Sequence, residues 1–341
     1  MSTPEQRGLP GLATAGVGAV VAAVAAIALG MWTAGVAPGG SSDAASPTAP
    51  ATSGAERPRP PQPIAGVPAH ATEEYGRRLV AQTAALLGPD SPQRYTQSRL
   101  NCGSCHLMTG TDPGTLALLQ TSEHYPRFSG RAGAMTDIED RINECMQRSM
   151  NGKPLPLDSP EMMAMAAYLR SLGSRYEAMS ASLRRADEPA AFTTPARAAD
   201  PVAGEAVYTT RCAVCHGADG LGLLATGEPA KGYLFPPLWG PDSFNDGAGM
   251  HRVLTAARFI KGRMPLGEPT LTDDQAFDVA AFINTKPRPA MPNLEQDYPD
   301  RSTKPVDNPY GPFADDFPVE QHKFGPFQPI EAHYKALKTR K

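Results

Sequence analysis

The chain has 341 residues, a length that suits about two domains. Its 32 Lys and Arg against 35 Asp and Glu give a formal charge of −3, and charged residues are only 20% of the whole. That balance excludes the basic face of a nucleic-acid binder and the composition of a globally disordered chain. The 36 Pro and 32 Gly, about a fifth of the chain, favour short helices joined by loops over long sheets or coiled coils.

The N-terminus fixes the expected compartment. No charged side chain occurs from Gly8 to Ser42, and residues 12–37 are apolar and rich in Ala, Gly and Val. The apolar part of a cleaved leader runs about 7–15 residues, while a bilayer span needs about 20. Residues 1–37 therefore read as an uncleaved signal anchor. Arg7, the only basic residue before the span, points the N-terminus to the cytoplasm. Everything downstream is then expected on the periplasmic side, tied to the cytoplasmic membrane. Residues 38–68, rich in Pro, Ala and Ser, read as a semi-rigid tether.

The rest of the chain holds two units that begin alike, followed by a tail. The first, 69–182, opens with a helical pattern at Glu73–Leu87 and reaches Cys102-Gly-Ser-Cys105-His106, with further helices expected at Thr136–Met150 and Pro160–Leu172. After a linker at 183–200, the second unit, 201–286, opens with Gly204–Arg211 and reaches Cys212-Ala-Val-Cys215-His216. Its later helices are expected at Ala248–Ile260 and Thr272–Asn284. Thr136 and Thr272, each followed by acids, read as N-caps. No run of alternating β-branched residues appears, so the fold is expected to be all-α, with residues 287–341 as an extended C-terminal tail.

Cys-x-x-Cys-His is the attachment signature of c-type haem. Two thiols one helical turn apart reach both vinyl groups of a porphyrin, and the next residue, His, is aimed at the iron. Two copies behind an export segment predict two covalently bound haem c groups, on Cys102 and Cys105 and on Cys212 and Cys215, with His106 and His216 as axial ligands. A zinc ribbon would want its two Cys pairs without a following His at each, and a redox dithiol would want a βαβ frame that this chain lacks. Each porphyrin would also supply the core that so small and loop-rich a unit lacks.

Cys145 is the one cysteine left over. At helical spacing it shares a face with Ile138, Ile142 and Ser149, with Arg141 and Arg148 at the edge and Glu139 pointing elsewhere. It is either a buried space-filler or the distal ligand of the first haem, where Met108, Met135, Met146, Met150 and His124 are rivals. Arg148 reads as a surface residue. In the second unit Met264, in the loop Lys261-Gly-Arg-Met264-Pro265-Leu-Gly267, is the favoured distal ligand over Met250 and His251.

Three stretches carry a family resemblance. Tyr125-Pro-Arg-Phe-Ser-Gly-Arg131 and Ile138 through Leu155, around Cys145, resemble the first domain of di-haem thiosulfate dehydrogenases. Phe235-Pro-Pro-Leu-Trp-Gly240 and Phe259-Ile-Lys-Gly-Arg-Met-Pro265 are similar to the second domain, and the run from Tyr298 to Ile330 to the C-terminal wrap. The resemblance implies two class I cytochrome c-like domains in tandem. It also implies an enzyme that joins two thiosulfates into tetrathionate, sometimes in reverse, and passes electrons to a cytochrome or a membrane oxidase. On the match, Cys145 is the axial ligand of the active-site haem, Arg131, Arg141 and Ser149 line the substrate pocket, and Met264 ligates the exit haem. Some members carry a Lys immediately before that Met which can exchange as ligand. Here the position is Arg263, whose guanidinium stays protonated and has no lone pair to offer. Non-catalytic alternatives are a membrane-tethered di-haem electron-transfer cytochrome and a haem sensor. Neither would produce tetrathionate.

Overall fold

A computed structural model describes residues 69–339 apart from 226 and 227, so the anchor expected over 12–37 and the tether over 38–68 lie outside the described residues. Among the described residues no helix is long and apolar enough to cross a membrane.

The stretch expected as one helix is two, α1 (Ala69–Ala81) and α2 (Thr83–Leu87). At the break Thr83 donates its hydroxyl to the Leu79 carbonyl (2.7 Å) and accepts the Cys102 N–H (3.1 Å), which fixes where the first cysteine pair begins. A 3-10 turn at Cys102–Ser104 follows, capped reciprocally by Asn101 and Ser104. Strands β1 (Arg127–Ser129) and β2 (Ala134–Thr136) then pair antiparallel. They are followed by α3 (Ile138–Arg148), α4 (Pro160–Glu177) and α5 (Ala181–Ala186). Because Thr136 pairs with Arg127 at the end of the hairpin, the N-cap of α3 is Asp137, in a reciprocal box with Asp140.

The second lobe opens with α6 (Pro201–Val207), which runs through one wider π turn at Tyr208–Cys212 into α7 (Ala213–His216). A short pair, β3 (Leu223–Leu224) with β4 (Tyr233–Phe235), leads to α8 (Val253–Arg263) and α9 (Asp273–Asn284). Thr272 caps α9 as expected, in a box with Gln275. The expected α8 starts late, because Gly249–His251 forms a 3-10 turn ahead of it. The described fold is helical as expected, with two short hairpins added to it. Strands of two or three residues are too short to leave an alternating pattern.

Both lobes are built on one crossing. In the first, α1 lies so close to α4 that a Cβ on Gly76 would sit 2.0 Å from the Ala164 carbonyl oxygen and 2.7 Å from the Tyr168 Cβ. In the second, α6 meets α9 at Gly204, where a Cβ would sit 2.1 Å from the Asp278 carbonyl oxygen and 2.9 Å from the Phe282 Cβ. A glycine facing an aromatic residue is thus the structural repeat under the sequence repeat. The cores differ. The first is aliphatic and Met-rich (Leu79, Leu172, Met146, Met162), while the second stacks Tyr208, Trp239 and Phe282 with centroids 4.9–5.9 Å apart.

The C-terminal segment is not simply extended. It crosses the first lobe, where the Tyr298 N–H donates to the Arg131 carbonyl (2.9 Å), and returns to the second as α10 (Val319–Phe324) and α11 (Gln328–Thr339). Phe327, Ile330 and Tyr334 complete the second core. Asp315 anchors the return, accepting from the Tyr334 hydroxyl (2.5 Å) and bonding His322 Nε2 (3.0 Å), whose Nδ1 faces the Val306 carbonyl (2.8 Å).

Candidate active site

The two expected proximal histidines are held alike. His106 Nδ1 is bonded to the Leu116 carbonyl (2.7 Å) and His216 Nδ1 to the Pro236 carbonyl (2.8 Å), which leaves Nε2 of each ring for a metal. Burial pushes both imidazoles below their ordinary pKa, so each is the neutral base a ligand must be. All four motif cysteines are free thiols, and burial raises Cys102, Cys105 and Cys212 to about 11. Anchored imidazoles beside unpaired thiols on one turn, against apolar cores, fit a covalently held haem in each lobe.

Cys145 lies on α3, half-buried, while Ile138, Ile142 and Met146 of the same helix enter the core. Its sulfur is close enough to the first motif to raise the thiols of Cys102 and Cys105. The rival ligands stand elsewhere. Met108 and Met135 are exposed at 74% and 44%, His124 is exposed, and Met146 and Met150 are packed in the core.

One cation stands beside Cys145, and a second is joined to it through Glu144. Arg141, one turn before it, holds its proton more tightly than an ordinary arginine, chiefly because of Cys145 and then Glu144. Glu144 collects both arginines, 3.3 Å from Arg141 and 3.9 Å from Arg131. Arg131 reaches the cluster from the β1–β2 turn and stands over the Tyr298 ring at 5.7 Å. Its Nε is buried without a hydrogen-bond partner and faces the Asp297 carboxylate at 3.8 Å. Ser149 caps the C-terminus of α3, donating its N–H to the Cys145 carbonyl, and is half-buried one turn beyond the thiol.

The structure therefore brings Cys145 and Arg141 together and links Arg131 to them through Glu144, with Ser149 on the same helix. It corrects Arg148, which is no surface residue. Arg148 is 9% exposed, bonds Asp297 (2.7 Å) and the Gly247 carbonyl (3.2 Å), and ties α3 to the tail and the second lobe. Glu139 is likewise buried, paired with Arg170 at 2.5 Å. The sequence reading missed Glu144, Asp297 and Tyr298. Asp297 also takes the Tyr310 hydroxyl (2.9 Å) and stands 3.8 Å from Arg131. Three arginines share two carboxylates here, so the cluster keeps a positive balance.

In the second lobe Met264 caps α8, half-buried against the core, and its N–H donates to Ile260 (2.8 Å). Nearby, His251 Nδ1 bonds the Asp246 carbonyl (2.8 Å) and burial pushes the ring to about 4, while Lys261 donates to the Leu271 carbonyl (2.7 Å).

Fold and site together define a tandem cytochrome c protein. A SoxA/TsdA cytochrome c domain model matches residues 93–177, and a model for cytochrome c oxidase, cbb3-type, subunit III matches residues 199–283. A thiosulfate dehydrogenase of Allochromatium vinosum is 42% identical over 220 residues, which are 63% of this chain and 77% of that one. One from Psychrobacter arcticus is 38% identical over 205 residues, 59% of this chain and 60% of that one. The solved thiosulfate dehydrogenase (TsdBA) from Marichromatium purpuratum aligns with a TM-score of 0.58 at 33% identity, covering 69% of this chain and 50% of its own. The chain thus spans half the length of that solved protein. It belongs to the thiosulfate dehydrogenase family, whose members are oxidoreductases.

Proposed function

We propose that this protein oxidises two thiosulfates to tetrathionate in the first lobe and passes the two electrons through the second lobe to an external cytochrome or membrane oxidase. In this reading Cys102 and Cys105 hold one haem c, with His106 and Cys145 as axial ligands. Cys212 and Cys215 hold the other, with His216 and Met264. A haem held by the Cys145 thiolate would be a low-potential one-electron acceptor and one held by the Met264 thioether a high-potential one, a difference that would favour electron flow from the first lobe to the second. The observation that carries the reading is the half-buried Cys145 beside Arg141, with Arg131 joined to the same Glu144 carboxylate.

The residues divide the work. Arg131 and Arg141 neutralise the thiosulfate dianions, their forks matching sulfonate oxygens as they match phosphate. Glu144 fixes the spacing of the two guanidinium groups, and Ser149 offers a hydroxyl at the end of the same face. Cys145 is the nucleophile. Its thiolate forms a bond to the sulfane sulfur of the first thiosulfate with loss of two electrons to the acceptor. The sulfane sulfur of the second thiosulfate then attacks that of the adduct, tetrathionate forms, and the Cys145 thiolate leaves. The same reading places both lobes outside the cytoplasmic membrane, held by the anchor at 12–37.

Replacing Cys145 by Ser in the haem-loaded full chain tests this. Both haems remain attached, because attachment uses other cysteines, while tetrathionate formation falls by at least about 10³-fold. A variant with an undiminished rate would leave the electron-carrier alternative in place.

A further inference from the structure

Arg263, which ends α8 immediately before Met264, is spent entirely on the first lobe. Its Nε donates to the Thr115 carbonyl (3.1 Å) and its Nη1 to the Asp112 carboxylate (2.7 Å). Its Nη2 donates to the carbonyls of Asp112 (3.0 Å) and Pro113 (2.7 Å). The residue before it makes the approach possible, since a Cβ on Gly262 would lie 2.6 Å from the Thr115 hydroxyl. The end of α8 is therefore seated on residues 112–115 by backbone as well as by side chain.

The next residue of that loop, Leu116, supplies the carbonyl that accepts His106 Nδ1. Leu116 has φ +63°, a conformation that costs a leucine free energy and persists only where its surroundings impose it. The surroundings are identifiable. Arg263 grips the strand of chain before it, Asp187 takes the Gly114 N–H (3.0 Å) and the Gln120 amide (2.8 Å), and the Leu118 N–H returns to Gly110 (2.8 Å). Of these restraints only Arg263 comes from the second lobe's α8.

We propose that Arg263 is a positioning residue shared by the two lobes: it holds the Leu116 carbonyl against His106 and at the same time fixes the segment that presents Met264. A hydrogen bond from the outer nitrogen of a ligating imidazole to a carbonyl raises the basicity of the ligand and stabilises the oxidised metal. The second lobe thereby sets the donor strength of the first lobe's histidine, and the two centres are tuned through one side chain. A fork with donors to three carbonyls and a carboxylate is needed for this, which a lysine at the same position cannot replace. The inference rests on the proposed ligation by His106 and Met264.

Redox titration of the haem-loaded full chain, resolved by haem, provides the test. Arg263→Ala is expected to raise the potential of the first haem and shift that of the second in the same variant, with Arg263→Lys intermediate. Hydrogen exchange at the Ala117 and Leu118 amides should quicken in parallel. Asp242→Asn serves as the control for the first lobe, because Asp242 joins the lobes at Arg99 N (2.8 Å) and takes the Tyr233 hydroxyl (2.7 Å), apart from the 112–116 segment, and should leave the first-haem potential unmoved. An unmoved first-haem potential in Arg263→Ala overturns the proposal, and so does an equal shift in Asp242→Asn. If the alanine variant does not mature, an unmoved first haem in Arg263→Lys has the same force. Met264→Ala separates the two readings: an unchanged second-haem spectrum in that variant refutes the ligation and not the strut.

Discussion

The first and second lobes share one frame and differ in what covers the metal-facing side of the histidine. Each crosses an N-terminal helix over a later one at a glycine, Gly76 or Gly204, and each anchors its histidine through Nδ1 to a loop carbonyl. Over the first histidine stands a helix with a thiol and arginines, α3. In the second the candidate is the end of α8, with a thioether and no free cation beside it, since Arg263 is spent elsewhere. The second lobe reaches its motif directly through the π turn after α6, whereas the first inserts α2 and a loop. The difference teaches that the crossing is a generic support, and that what sets the lobes apart is the side chains each places around its histidine.

The strongest way to break the comparison is at the shared glycines. Gly76→Ala and Gly204→Ala each push a methyl group against a backbone carbonyl that cannot rotate away. Each should cost about 3 kcal/mol of stability, seen in thermal unfolding followed by circular dichroism. Equal losses in one shared transition would mark the lobes as one cooperative body. A transition confined to the altered lobe would separate them.

A smaller change sharpens the contrast in distal cover. Tyr298→Leu removes the ring beneath Arg131 and keeps the N–H that holds the Arg131 carbonyl. The thiosulfate KM should rise about fivefold with kcat little changed, because a cation over a ring contributes about 1 kcal/mol. An unchanged KM would remove the tail from the account of the substrate site.

The smallest expected effect lies in the second lobe's tail. Burial alone would raise the Asp315 carboxyl, but hydrogen bonds from Tyr334, His322 and the Phe317 N–H outweigh it and hold the group below the usual carboxylate range. A depressed folded pKa stabilises the fold above the unfolded value of about 3.9 and ceases to do so as pH falls through the folded value. Asp315→Asn should therefore cost about 1 kcal/mol at neutral pH and nothing in strong acid, read by melting curves across pH. A constant deficit at every pH would mean that packing, not charge, fastens α11.

Much of the frame is legible in the sequence because its causes are local. The paired motifs, the apolar spacing of α3, α4 and α9, and the box at Thr272 are each written within a dozen residues. The positions of Arg148 and Arg131 are not, since their partners Asp297 and Tyr298 arrive only with the tail. A proline-rich segment reads as extended until something packs on it. Here Ile330 and Tyr334, one helical turn apart, were the available signal for α11.

That late arrival has a consequence for how the protein is made. A chain emerges from its N-terminus, so Cys102, Cys105, Arg131 and Cys145 are all delivered before Asp297 and Tyr298 exist outside the ribosome. The first lobe can receive its cofactor early, but Arg131 has no platform until the last part of the chain has been threaded back across it. Under the proposed function, substrate affinity would be withheld from every unfinished molecule, and a protein cut short before residue 297 would keep its first core and lack the ring and carboxylate that hold Arg131.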